Sequence, residues 1–563
     1  MLRTPPRRQL LVPAAAAAAA ALYPAWLTWR EQGDLAPFRF FAADAFYYLA
    51  VAERSQGRAF YTFDGRFATN GFHPLWQWLL GFVFGRTGAA PEMQVLLAFA
   101  LGAVLVAIGA AWFAAAVARA TGQPGLALLA AVPGFYSLLL PPVAPGYFAA
   151  WSFANGMESG VSIAAFGVLA WLLTDPGLQR PVVGIRRFAL LGLVGSAMTL
   201  ARLDDVFVFG PLLLLAWAAS PSLRAAWPRA LAVALPPLLG IGAYLAYNLA
   251  ATGMLLPVSG TAKAAGLWAL ARNGYATLTT LAPFLDLFGR GNGAWGSEAW
   301  RILQMLVPAA AAALHLAGRW VRGRGVPVVA RLRGALREPL VLLSLYVLGK
   351  AAYNFTVVPL WNQGHWYYPV SILVFSWIVA DAMGRILGRL GTSTGMRRAV
   401  TGLCVLVVIL QANVFVDQKR QGGLGIANHA FWKRGAEVDA ALEARCPGCG
   451  LVELDDGILS YSLARPVMNG LGLAIDREAS AALRGGELLA LAHARGFRLL
   501  ATLHYAMPAE AYEDREALRA ALARNVQLRG QRLDAFEFSV LYTDPASGVH
   551  FVEFRPRHTA TPR

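Results

Sequence analysis

Twelve apolar stretches divide this chain, near residues 9–29, 72–85, 93–118, 125–140, 158–174, 188–201, 205–219, 231–250, 300–318, 338–357, 366–384 and 399–416. One soluble core has no use for so many. Most approach the roughly 20 residues that carry a helix across about 30 Å of hydrocarbon, where each backbone amide must be satisfied within its own segment. The stretch 72–85 differs. It is short, rich in tryptophan and phenylalanine, and begins with His73-Pro74, which suits a half-embedded interfacial helix.

Charge fixes the orientation. The formal charge of +17 does not point to nucleic acid, because the arginines gather in short loops at 180–187, 224–229, 319–337 and 385–398. Such loops stay on the inner side. With an inner N-terminus and 72–85 not crossing, all four fall inside and eleven spans result; twelve spans would turn them outward. Loop 319–337 carries Arg319, Arg322, Arg324, Arg331, Arg333 and Arg337, whereas 141–157, on the opposite face, has no charge. The expectation is a mostly α, polytopic membrane protein of about 11 transmembrane helices over 1–416. Residues 30–92 form a first outer loop, and 141–157, 251–299 and everything after 416 are outside. In a bacterial inner membrane that face is periplasmic. Arg3, Arg7 and Arg8 ahead of a span-length run mark a retained signal anchor.

From Asp417 the hydropathy falls, and short strand-like runs at 451–453, 499–503, 536–542 and 549–554 alternate with helix-like ones. A small α/β domain over 417–563 follows. Cys446 and Cys449 enclose Pro447-Gly448; a lone pair lacks the second pair of a zinc site, which leaves a disulfide bracing a turn or a redox role. Four of the 49 basic residues are lysine, and two of these, Lys263 in a loop and Lys350 inside an apolar run, stand out for that reason.

Several polar groups sit at the outer edge. Asp44 lies in FAADAFYY, flanked by aromatics that lower the local dielectric; it is also placed as a helix N-terminal acid. Asp64-Gly65 and Asn70-Gly71 are natural turns in the segment Tyr61 to Trp76, which also holds His73. Glu158, in NGMES, opens a span. Arg202-Leu203-Asp204-Asp205 joins two short apolar runs, either as an ion-paired helix-turn device or as a functional cluster, since charge at that depth is costly. Ser259, Gly260 and Thr261 with Lys263 offer hydroxyls, amides and a cation to a phosphate; Lys263 equally suits lipid headgroups. His365 and Tyr367 belong to a dense aromatic group of the kind found at any membrane surface. Asp455-Asp456-Gly457 and Asn469-Gly470 read as turns or as an acceptor or cation site.

The order of an acidic-aromatic helix after the first span, TNGFHPLW, and then NGMES resembles the GT-C glycosyltransferase superfamily. The similarity is to bacterial arabinofuranosyltransferase-like enzymes first, with protein mannosyltransferases and the lipid A aminoarabinose transferase further off. The resemblance implies inverting transfer of a sugar from a polyprenyl-phosphate carrier to a hydroxyl of a glycan, lipid or protein acceptor, at the outer face and without nucleic acid. Asp44 takes the place of the family's first acidic motif as base, Glu158 lies in the acceptor pocket, and Lys263 with Arg202 holds the donor phosphate. Asp64, Asn70, His73, Ser259, His365 and Tyr367 complete the candidate substrate contacts. Many members have paired acids where this chain has Ala43-Asp44, so a divalent cation is left open and no other cofactor is expected. A transporter or flippase of a lipid-linked sugar is the alternative, although unequal halves without a visible repeat speak against it.

Overall fold

The computed structural model describes residues 7–135, 150–179, 183–263, 266–285, 297–322, 325–360, 363–391, 393–421, 423–454, 457–503, 514–525, 528 and 530–557. The chain forms two compact units. One comprises Met1–Ala36, Phe99–Ala243 and Lys263–Gln421, the other Pro37–Ala98, Tyr244–Ala262 and Gly422–Arg563. Residues 37–98 and 244–262 are grouped with the C-terminal residues.

Among the described residues, seven helices are long and apolar enough to cross a membrane: Leu10–Phe40, Pro91–Thr121, Leu223–Thr252, Ile302–Arg322, Pro339–Val357, Pro369–Arg389 and Thr394–Arg420. They take up seven of the eleven expected spans. The remaining four stretches contain the helices Pro124–Ala131, Ser159–Leu173, Ile185–Ala201 and Phe209–Ala218, of 8, 15, 17 and 10 residues. At 1.5 Å per residue these reach only about 12–26 Å. The extended residue Arg202 and the 3-10 turn Leu203–Val208 separate the last two of these helices, where the sequence already placed a polar break between two apolar runs.

Small residues set the helix packing of the first unit, as expected where lipid supplies no hydrophobic drive between helices. A Cβ on Gly167 would stand 2.3 Å from the Gly109 carbonyl oxygen, and one on Gly109 2.5 Å from that of Ile163. This close approach fixes Ser159–Leu173 against Pro91–Thr121, and with it the position of Glu158 one residue ahead of the shorter helix.

In the second unit, β1 (Gly450–Glu453), β2 (Val467–Asn469), β3 (Phe497–Ala501), β4 (Phe536–Thr543) and β5 (His550–Pro556) form one sheet in the order β2-β1-β3-β5-β4. The first three strands are parallel, and β5 and β4 join antiparallel. Four strands match the expected runs to within two residues or so. β2, only three residues long, has too little sequence for its alternation to register. Val452, Met468, Phe497, Leu500, Leu518 and Phe554 belong to the core of this domain. Cys446 and Cys449 are joined as a disulfide where the helix Gly423–Arg445 turns into β1.

The helix Ala45–Arg54 belongs to this unit and is tied to the segment that follows β1. Arg54 donates to the carbonyls of Ser460, Leu463 and Arg465 at 2.6, 2.9 and 3.1 Å. Asn469 Nδ2 donates to the Tyr47 hydroxyl at 3.0 Å, and Gly457 comes so close that a Cβ there would lie 2.7 Å from the Tyr47 amide nitrogen.

Candidate functional site

The first unit holds a buried ionic cluster. Arg202 ends Ile185–Ala201 in extended conformation (φ −143°, ψ 115°), which turns its side chain away from the helix it follows. Nη1 donates to Glu158 Oε1 at 2.5 Å and to the Trp366 carbonyl at 3.0 Å, and Nε donates to Asp204 Oδ1 at 3.0 Å. The guanidinium carbon lies 4.4 Å from the ring centroid of Tyr367, a cation–π distance.

Lys350, from Pro339–Val357, completes the group. Its ammonium pairs with Asp205 and lies 3.4 Å from Asp204 Oδ2. Asp205 also accepts from the Tyr346 hydroxyl at 2.6 Å and from Ser162 Oγ at 2.9 Å, and Asn354 Nδ2 donates to Asp204 at 3.4 Å. Side-chain exposure is 2% for Arg202, 1% for Glu158 and Lys350, and 0% for Asp205, against 10% for Asp204. Three carboxylates thus share two cations, and Asp204 is the most exposed of the five groups. Burying such charges costs several kcal/mol per ion unless geometry and extra hydrogen bonds compensate. Here the hydroxyls of Tyr346 and Ser162 and the Trp366 carbonyl provide that compensation.

Of the expected site residues, Glu158, Arg202 and Tyr367 therefore meet in one cluster. His365 shares the 3-10 turn His365–Tyr367, but its side chain lies outside the description, as does that of Lys263 at the end of the helix Val258–Lys263. Asp455 and Asp456 also fall outside the described residues.

The second unit contains the others. Asp44 is half-buried at the N-terminus of Ala45–Arg54 and makes no capping bond to that helix. Its carbonyl accepts from the Tyr47 amide at 3.3 Å. Asp64 closes a tight turn: Oδ1 accepts from the amides of Arg66 and Phe67, both at 2.8 Å, and from the Thr62 hydroxyl at 3.2 Å, with Gly65 at φ +79°. Burial pushes the Asp64 carboxyl up, while those amide and hydroxyl bonds pull it back.

Asn70 is fully buried and bridges two loops. Its amide nitrogen donates to the carbonyls of Leu256 at 3.1 Å and Met254 at 3.4 Å, and its Oδ1 accepts from the Val258 amide at 3.0 Å. Ser259, half-buried, follows directly in the helix so anchored. Gly71 allows the close passage of residue 473, whose carbonyl oxygen would meet a Cβ at 1.7 Å. His73 precedes Pro74–Thr87 and donates its amide to the Tyr48 hydroxyl at 3.4 Å. Asn70, Gly71 and His73 of TNGFHP thus contribute joints within this unit.

Lys350, Tyr346, Ser162 and Asn354 lay outside the expected set. A sequence signal existed for each: Tyr346, Lys350 and Asn354 repeat at i, i+4, i+8 and share a helix face, as do Glu158 and Ser162 at i, i+4. Among the described residues no group of three His, Cys, Asp or Glu side chains is arranged to hold a metal ion. The acids that converge in the first unit are bound to Arg202 and Lys350.

No protein-family model and no curated protein matches the chain. Among solved structures it is similar to the oligosaccharyltransferase of Archaeoglobus fulgidus in the apo form, with 13% identity and a TM-score of 0.46 over 98% of this chain and 75% of that one. It is also similar to that enzyme in complex with zinc and sulfate, with 14% identity and a TM-score of 0.45 over 97% and 73%.

Proposed function

We propose that the protein is a GT-C type glycosyltransferase that moves a sugar from a polyprenyl-phosphate carrier to an acceptor hydroxyl at the outer, periplasmic face of the membrane, in the synthesis of an envelope glycan, glycolipid or glycoprotein. The observation that carries this reading is the Glu158–Arg202–Asp204–Lys350–Asp205 cluster. Ionisable groups are retained inside a membrane unit where they do chemistry or bind a polar ligand, and Glu158 comes from NGMES, one of the segments on which the superfamily resemblance rests.

In the proposed reaction the acceptor oxygen bonds to the anomeric carbon as the bond from that carbon to the phosphate oxygen breaks. The electron pair leaves with the lipid phosphate, and the acceptor proton passes to a carboxylate. That leaving group needs little protonation, so the protein supplies orientation, a base and positive charge. Asp44 is the proposed base. Arg202 holds Glu158 and Asp204 in place, Lys350 holds Asp204 from the other side, and Lys263 with the Ser259 region receives the phosphate.

Proteoliposomes supplied with a panel of polyprenyl-phosphate sugars and a hydroxyl acceptor test this. Wild type should transfer at least one sugar, and Asp44→Asn should insert normally yet transfer none. Full transfer by Asp44→Asn removes that residue from the mechanism. Carrier movement across the bilayer without transfer would identify a flippase instead.

A further inference from the structure

Between the spans Ile302–Arg322 and Pro339–Val357 lies the short helix Val328–Ala335, which buries none of its residues. Val328, Val329 and Leu332 are 53%, 58% and 37% exposed. At about 100° per residue the three share one sector of the helix, with Arg331 about 60° before Val328 and Arg333 about 40° beyond Val329. An apolar stripe thus runs between two arginines.

The surrounding arginines divide into two kinds. Arg337 donates twice to the Ala218 carbonyl, at 3.2 and 3.0 Å, and Arg319 pairs with Glu338; both fasten the segment to its neighbours. Arg322 and Arg331 each donate to a carbonyl of their own segment, Gly318 and Val326, at 3.0 Å, and among the described residues neither they nor Arg333 form an ion pair with a carboxylate. The guanidinium of Arg331 lies 4.5 Å from the ring of Trp320, which is 47% exposed, and that of Arg333 lies 5.2 Å from Trp217.

We propose that Val328–Ala335 is an interfacial helix that docks on anionic phospholipid, with Val328, Val329 and Leu332 below the headgroups and Arg322, Arg331 and Arg333 on their phosphates. Charge complementarity selects this partner: residues 319–338 carry six arginines and one acid, Glu338. The helix sits between the ends of two spans, so the bilayer surface is within reach. Aliphatic residues flanked by arginines match an amphipathic surface helix, whose long basic side chains extend back toward the headgroups. Each arginine near an anionic surface strengthens binding by on the order of fivefold. An acidic soluble protein would find the charges but has no evident use for the stripe between them.

The proposal does not depend on the transferase reading. Val329→Cys in a Cys404→Ser background, labelled with a polarity-sensitive fluorophore, is reconstituted in phosphatidylcholine vesicles with or without an equal part of phosphatidylglycerol, each carrying spin-labelled phospholipid. Blue-shifted, quenched emission is expected with phosphatidylglycerol, and Arg331→Gln/Arg333→Gln should lower the inserted-to-exposed ratio by up to about 30-fold. Emission of a water-exposed label in both vesicles overturns the proposal and favours a soluble partner. Equal quenching with and without phosphatidylglycerol also overturns it, because burial would then owe nothing to anionic headgroups.

Discussion

Arg202 Nη1 donates to Glu158 Oε1 at 2.5 Å across 44 residues of sequence, with both side chains almost completely buried. Each is the other's counter-ion in a medium that solvates neither. Removing one partner of such a pair strands the other and costs about 3–5 kcal/mol, whereas replacing both with apolar groups is often neutral. Arg202→Met should therefore lower the unfolding temperature in detergent sharply, and Arg202→Met/Glu158→Leu should recover part of the loss. Additive losses in that cycle would show that the two residues do not act as a pair. If the cluster serves transfer, the double variant should regain stability and not activity.

Lys350 occupies the opposite side of the same cluster. Lys350→Met leaves Asp205 with only neutral donors and removes one of two cations near Asp204, a loss of the same order as at Arg202. Tyr346→Phe takes a single hydroxyl from a charged acceptor, worth about 1.5–3 kcal/mol. Thermal unfolding should rank Lys350→Met below Tyr346→Phe, and both below wild type. The reverse ranking would mean that Asp205 depends chiefly on the hydroxyls.

Hydropathy could find the seven long spans because each is a continuous apolar run, and a run needs no knowledge of its neighbours. It also separated the two short runs on either side of Arg202, but an average over apolar residues says nothing of the extended backbone at Arg202 or the 3-10 turn Leu203–Val208 that redirect the chain between them. Arg202, Glu158 and Tyr367 were legible as unusual residues but not as a group: their partners come from helices far apart in sequence, and side-chain pairing is a property of packing. Lys350 shows how close the sequence came. A lysine inside an apolar run was visible, and the Tyr346, Lys350 and Asn354 face follows from helical period alone; that the face meets Asp204 and Asp205 does not. The joints at Asn70 and Gly71 were likewise hidden, because an Asn-Gly pair reads as a turn whatever its amide reaches.

Those joints give a structural test of the TNGFHP segment. Asn70→Ala leaves the carbonyls of Met254 and Leu256 and the amide of Val258 without that partner, and an unsatisfied buried group costs about 1–3 kcal/mol. Gly71→Ala places a methyl 1.7 Å from the Leu473 carbonyl oxygen, a distance no rotamer change relieves. Limited proteolysis of the membrane-inserted protein should show earlier cleavage within 244–262 for Asn70→Ala, and loss of folded protein for Gly71→Ala. A wild-type pattern for both would dissociate the segment from the fold and leave it a purely ligand-binding role.

Asp64 adds a dependence on pH. Burial raises its folded carboxyl above the ordinary aspartate value near 3.8, more than the Arg66 and Phe67 amides and the Thr62 hydroxyl lower it. The folded protein therefore holds this proton more tightly than the unfolded chain does. Its contribution to stability is fully present below the ordinary value and is lost as pH rises through the raised one. Asp64→Asn keeps the acceptor oxygen that closes the turn but cannot ionise. The unfolding temperature of wild type relative to Asp64→Asn should fall as pH climbs from below 3.8 through the raised value, then level off. A difference that grows in favour of wild type over that window would mean that the amide bonds outweigh burial and that the carboxylate is the form the turn prefers.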